Sequence, residues 1–277
     1  TLADSGGSAL IIGTPKAFNG LYQLHVKGQS EHKQDRDWKS WQFPTITSPF
    51  IPKSEIEAAR RDMNPKAFRQ EFEASFMGMS GRVYHCFDRN IHIGNYKFNP
   101  DLPIWIGCDF NIDPMSCAIM QKQPNGEVWV VDEIYIFNSN VQEVVEEIDR
   151  RYWRWKNNIV IFPDPAGAQR QHARGESSLD IYRDAGFKKI MYHKKAPPIQ
   201  DRVNAVNRQL LSADGTISMR VDKSCRETIN SFEQTQYKEG TPDINKAASV
   251  EHITDALGYG IHYAFPSRRL KILGVNL

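Results

Sequence analysis

Three aspartates stand where an acid is costly unless something compensates it. Asp109 closes the apolar run Ile104-Trp105-Ile106-Gly107-Cys108, and Asp164 closes Ile159-Val160-Ile161-Phe162-Pro163. Both runs read as buried strands, so both carboxylates would project from strand carboxyl ends, where open α/β sheets bind ligands. Asp255 lies in Ser249 to Tyr259, whose Val250, Ile253 and Leu257, with Ile261 beyond, recur at helical spacing; Asp255 falls beside that stripe, at the rim of the buried face. A charged, unpaired acid at such a place costs stability, and a bound cation removes the cost. Oxygen ligands without His or Cys select Mg²⁺ or Mn²⁺ over zinc. Two such ions roughly 4 Å apart activate a water and stabilise the leaving 3′ oxygen of a phosphodiester.

Each acid also has an ordinary explanation. Asp164 precedes Pro165-Ala166-Gly167 and could simply form an Asx turn, and Asp255 could pair with His252 or a lysine. Secondary candidates are Asp113, in the loop after Asp109, and Glu133, at the end of another strand. Glu251, one turn before Asp255, and Lys246, placed to neutralise a phosphate, complete the set. A local basic cluster, Lys188, Lys189, His193, Lys194, Lys195, Arg202 and Arg208, would bind a nucleic-acid backbone by counterion release without reading sequence. Val203, Val206 and Leu210 turn inward, so Arg202 and Arg208 fall on different helix faces. The polar loop Gln169 to Gly175 is expected near substrate, and the tail Arg268, Arg269 and Lys271 at a protein partner.

The elements that must position these residues form a mixed α/β pattern. Strands are predicted over Ala9–Thr14, Trp38–Phe43, Ile104–Phe110, Ser116–Lys122, Val128–Tyr135 and Ile159–Pro163. Pro124-Asn125-Gly126 marks a hairpin between two of them. Helices are predicted over Leu21–Val26, from a Ser54 cap to Asp62, from Pro65 to about Phe76, over Val141–Trp155, and from Arg202 onward. Gly78, Ser80 and Gly81 read as a hinge between two units, residues 1–80 and 81–277. Because residue 1 is Thr and Ala9–Thr14 already reads as a strand, the chain is expected to be a fragment starting inside a domain.

Composition narrows the class. The 277 residues carry a net charge of only +2, so a nucleic-acid surface must come from clustering. Cys86, Cys108, Cys117 and Cys225 form no CxxC pair and read as reduced, cytosolic thiols. No apolar run approaches the ~18 residues of a membrane span, and no signal peptide is visible.

Gly107-Cys108-Asp109-Phe110-Asn111, Phe162-Pro163-Asp164-Pro165-Ala166-Gly167 and His252-Ile253-Thr254-Asp255-Ala256-Leu257-Gly258-Tyr259, in that order, resemble the large subunits of tailed-phage terminases. Leu10 to Pro15 resembles the coupling segment near the end of that family's packaging ATPase, and Ile51 through Phe72 the segment leading into its nuclease. The resemblance implies a ribonuclease H-like nuclease over 81–277, preceded over 1–80 by the end of a P-loop ATPase domain and linker helices. It implies an endonuclease cutting concatemeric viral double-stranded DNA, with Asp109, Asp164 and Asp255 as metal ligands for two Mg²⁺ or Mn²⁺ ions. From the basic cluster and the lysine before the Asp255 helix, the DNA-contact candidates are Lys188, Lys189, Lys194, Lys195, Arg202 and Lys246. Partners would be DNA, a terminase small subunit and a portal protein, in the host cytoplasm, with no membrane. The chain has no GxxxxGK[ST], so ATP is expected only in the intact motor. The alternatives are a junction-resolvase or transposase-like nuclease, or a non-catalytic portal-docking module.

Overall fold

A computed structural model of the chain describes residues 6–15, 20–30, 33–76, 81–110, 113–168, 177–239 and 241–266. Its strands are β1 (Ile93–Gly94), β2 (Ile104–Asp109), β3 (Met115–Lys122), β4 (Val128–Ile136), β5 (Ile159–Pro163) and β6 (Met219–Asp222). The helices are α1 (Gly20–Gly28), α2 (Lys53–Asp62), α3 (Pro65–Phe72), α4 (Arg89–His92), α5 (Val141–Tyr152), α6 (Ser178–Asp184), α7 (Ile199–Leu210), α8 (Arg226–Gln234) and α9 (His252–Ala264). The strands form one sheet in the order β1-β6-β4-β3-β2-β5. β2, β3 and β4 are antiparallel neighbours, whereas β5, β6 and β1 join in parallel, giving the mixed sheet expected from the sequence. Gly126 takes φ +91° at the predicted hairpin and donates to the carbonyl of Gln123 at 2.9 Å, a turn that suits glycine.

Two cores fill the sheet's faces. One packs Ala118, Met120, Val128, Val130 and Val221 against Val203, Val206 and Leu210 of α7, Ile229 and Phe232 of α8, and Ile253, Leu257 and Ile261 of α9. The other packs Ile104, Ile106, Ile119, Ile159 and Ile161 against Val141, Val144, Val145 and Ile148 of α5. Strand side chains alternate between faces, so a single strand feeds both cores. α5 is capped by Asn140, whose side chain accepts from Glu143 N, and its predicted last turn is 3₁₀ from Trp153 to Asn158.

The segment ahead of the sheet departs from expectation. Ala9–Thr14 forms no strand: Leu10 is 79% and Ile12 84% exposed, and no described strand lies beside them to take their backbone hydrogen bonds. Trp38–Phe43 is likewise irregular, with Phe43 80% exposed; alternating residues make a strand only where a sheet edge receives them. α2 begins at Lys53 with Pro52 at its cap position, so Ser54 sits inside the helix instead of capping it. α3 starts at Pro65 as predicted, capped by Asn64, but ends at Phe72. Ile56, Ala59, Phe68 and Phe72 form a small cluster of their own with Ala213 at its border, and Asn64 bonds Asn204 at 3.1 Å, tying this segment to α7. The predicted hinge lies outside the described residues except for Gly81, at φ +76°.

Candidate metal-binding site at the sheet's carboxyl end

Asp109 ends β2, and the parallel neighbour β5 ends one residue before Asp164; Asp164 N donates to the carbonyl of Cys108 at 2.9 Å. Register therefore sets both acids at one end of the sheet. α9 brings the third. Its residues His252 to Ile261 are all buried, although Gly258 and Gly260 are poor helix formers, so packing overrides propensity. The approach depends on Gly107: a Cβ there would lie 2.0 Å from the backbone oxygen of Ala256, next to Asp255. The strand and helix meet backbone to backbone.

The result is a crowded acidic site. Asp109 is 3% exposed and Asp255 8%, deeper than the rim position read from the sequence; Asp164 is half-buried. Asp255 accepts from Arg202 Nη1 at 2.9 Å, and Asp109 lies 3.3 Å from His252 Nδ1. Asp164 accepts from Ala166 N at 2.9 Å, so it does form the Asx turn. Burial pushes the Asp255 carboxyl above its usual range; Arg202 opposes that, while Asp109 and Glu251 reinforce it. His252 is raised chiefly by its bond to Asp109. The Tyr259 hydroxyl is raised by burial, against Arg202, and by Asp164, Asp109 and Asp255 together, so one group feels all three aspartates.

The donor set and its unmet needs suit a hard cation. Among the described residues, one oxygen of Glu251 is buried without a partner, as is the hydroxyl of Ser116, which pairs across the strands with Asp109. Among the described residues, Arg202 and Lys246 are the permanent cations set against the carboxylates of Asp109, Asp164, Glu251 and Asp255, with Lys246 standing 3.7 Å from Glu251. Among the same residues, however, no three His, Cys, Asp or Glu side chains close to metal-holding distance. Arg202 and His252 each occupy one of the buried aspartates instead.

The other candidates divide. Arg202, read as a DNA contact, is buried against Asp255 with its guanidinium 4.3 Å from the Tyr259 ring centroid; it does not share a surface with the lysines. Arg208 is buried too, donating to the carbonyls of Asp62 and Phe265. Lys188, Lys189, Lys194 and Lys195 are exposed. Ile161 N donates to Lys189 O and Met191 N to Ile161 O, so this segment runs parallel to β5, toward the end that carries Asp164. Asp113 accepts from Asn138 N at 3.1 Å. Glu133 accepts from Glu227 N, Thr228 N and Thr228 Oγ1, holding the start of α8. The loop Gln169–Gly175 and the tail residues Arg268, Arg269 and Lys271 lie outside the described residues. The four cysteines are free and buried. Among the described residues no helix is long and apolar enough to cross a membrane.

Sequence reasoning missed Arg202's place, and a signal was present: Arg202, Val206 and Leu210 recur every fourth residue, which puts the arginine on the buried stripe. It also paired His252 with the wrong aspartate, since sequence proximity favoured Asp255 over Asp109.

No family model matches the chain. It is 25% identical over 278 aligned positions to the terminase large subunit of Escherichia phage T5, covering 95% of this chain and 59% of that protein. The large terminase of a thermophilic bacteriophage superposes with TM-score 0.69 at 17% identity, over 90% of this chain and 60% of that one. The nuclease domain of the P22 large terminase superposes with TM-score 0.52 at 15% identity, over 68% of this chain and 94% of that domain. The chain thus spans about 59% of the length of the curated relative it matches. The mixed sheet with flanking helices is the ribonuclease H-like fold of terminase nuclease domains.

Proposed function

We propose that this chain, a relative of the phage terminase large subunits, is the nuclease part of a viral DNA-packaging motor and cuts double-stranded DNA with two Mg²⁺ or Mn²⁺ ions held by Asp109, Asp164 and Asp255. The observation that supports this reading is that strand register and the packing of α9 bring Asp109, Asp164 and Asp255 toward one end of the sheet, where the Tyr259 hydroxyl feels all three. The bound ions would supply a nucleophilic hydroxide and a counter-charge for the leaving oxygen.

The protein's own residues do the rest. β2 and β5 hold Asp109 and Asp164 at fixed separation through their register. The bond from His252 orients Asp109, and Arg202 orients Asp255. Lys188, Lys189, Lys194 and Lys195, along the segment beside β5, would take the DNA backbone without reading its sequence, and Lys246 would neutralise a phosphate near the acids. We further read residues 1–80 as the end of an ATPase domain with linker helices and 81–277 as the nuclease. ATP would act only in the intact motor, which would meet its small subunit and portal in the host cytoplasm.

Supercoiled plasmid nicking with Mg²⁺ or Mn²⁺ tests the reading, with EDTA and Asp255→Ala controls checked for unchanged folding. Cleavage lost in both controls is expected. Undiminished activity in a folded Asp255→Ala protein removes the assignment, and a preference for four-way over linear DNA favours a resolvase-like enzyme. An inert protein that binds no divalent ion favours a docking module.

A further inference from the structure

Arg202 is held in an unusual way. Its guanidinium is buried, gives Nη1 to Asp255 Oδ1 at 2.9 Å, and rests on the face of Tyr259. Its Nε, equally buried, has no partner among the described residues. Arg89, by contrast, grips Glu233 with both edges of its fork, through Nε and Nη2 at 2.8 and 2.9 Å. Arg202 is seated by a ring and a single N–H on the acid.

The charge stands where a cation would be wanted. Asp109 and Glu251 bear on Asp255 from the end of β2 and the start of α9, and the guanidinium holds Oδ1, one of the two Asp255 oxygens. A fixed positive group there repels an incoming divalent ion and draws on the same carboxylate charge. We propose that Arg202 is the resident counter-ion of Asp255, a positioning residue whose fixed, buried charge lowers the site's affinity for divalent ions. This rests on the reading of Asp255 as a metal ligand.

Calorimetric titration of the full chain with Mn²⁺ alone tests it, paired with thermal melting with and without Mn²⁺. Arg202→Gln should bind Mn²⁺ about tenfold more tightly than the unaltered protein. It should also melt lower without the ion and gain more from it, because the uncompensated acids then depend on the ion. Arg202→Lys keeps the charge and its fold but loses the planar seat on Tyr259, and should bind a few-fold more tightly. If the unaltered protein binds Mn²⁺ and neither variant binds it more tightly, the proposal is overturned while the ligand assignment stands; should Arg202→Gln not fold, Arg202→Lys decides by the same criterion. If the unaltered protein and a folded variant all fail to bind, both readings fall together.

Discussion

Asp132 and Asp255 each meet an arginine at 2.9 Å, yet their situations are opposite. Asp132, on β4, also accepts from the Tyr152 hydroxyl at 2.6 Å and from Glu133 N at 2.8 Å. Its arginine, Arg151, is shared with Glu147, which Arg150 grips as well. There every acid oxygen in the network has a donor, and Glu147 sits at about 2, held down first by its bond to Arg150. Around Asp255 the described acids outnumber the described cations, one Glu251 oxygen has no donor among the described residues, and burial drives the Asp255 carboxyl up. The first network is a finished surface brace. In the second, burial and the neighbouring acids outweigh the arginine that opposes them.

The sharpest way to break that contrast is to delete acids on each side. Asp109→Ala or Asp255→Ala should lower cleavage by roughly a thousandfold or more, the equivalent of several kcal/mol of lost transition-state stabilisation, in single-turnover plasmid assays. Asp132→Asn should leave cleavage unchanged. A second test moves the helix instead of the charge. Gly107→Ala thrusts a methyl group into Ala256 O and should cost about 3 kcal/mol in denaturant unfolding, with cleavage lost and the Asp132 network undisturbed. Asp132→Asn itself should cost about 1 kcal/mol or less, since the pair with Arg151 is about one-third exposed and solvent screens it.

The smallest effect is the most discriminating, because it changes sign. Glu147 is depressed from 4.5, so its contribution to stability is present above that pH and fades as pH falls toward about 2. Asp255 is raised from 3.8, so its contribution is present below 3.8 and is lost as pH rises through its elevated value. In EDTA, Glu147→Gln should be destabilised near neutrality and approach the unaltered protein in acid. Asp255→Asn should instead gain on the unaltered protein as pH climbs past 3.8. Curves that move in the same direction would erase the distinction between the two clusters.

Much of this architecture is written locally. β5 spans the predicted Ile159–Pro163, β2, β3 and β4 fall within a residue of prediction, and the two strand-end aspartates follow from them. These runs are buried on both faces, so their hydrophobicity has no competing interpretation. β1 and β6 escaped notice because strands of two and four residues carry little pattern, and α6 and α8 because a helix of seven or nine residues offers barely two turns of periodicity. Ala9–Thr14 misled for the converse reason: an apolar run predicts burial but cannot supply the neighbour that buries it. The partners of the aspartates were hidden more deeply. That Arg202 faces Asp255, and His252 faces Asp109, depends on how α7 and α9 cross the sheet, which no local pattern encodes.

The contact at Gly107 carries a consequence for the order in which the molecule is made. His252 and its partner Asp109 are 143 positions apart, and every described strand of the sheet is complete by Asp222. A nascent chain can therefore finish its sheet while the third aspartate is still inside the ribosome. Only when α9 emerges and packs onto the bare backbone at Gly107 does the acidic end close, so a partly translated polypeptide has its sheet but not its third aspartate in place.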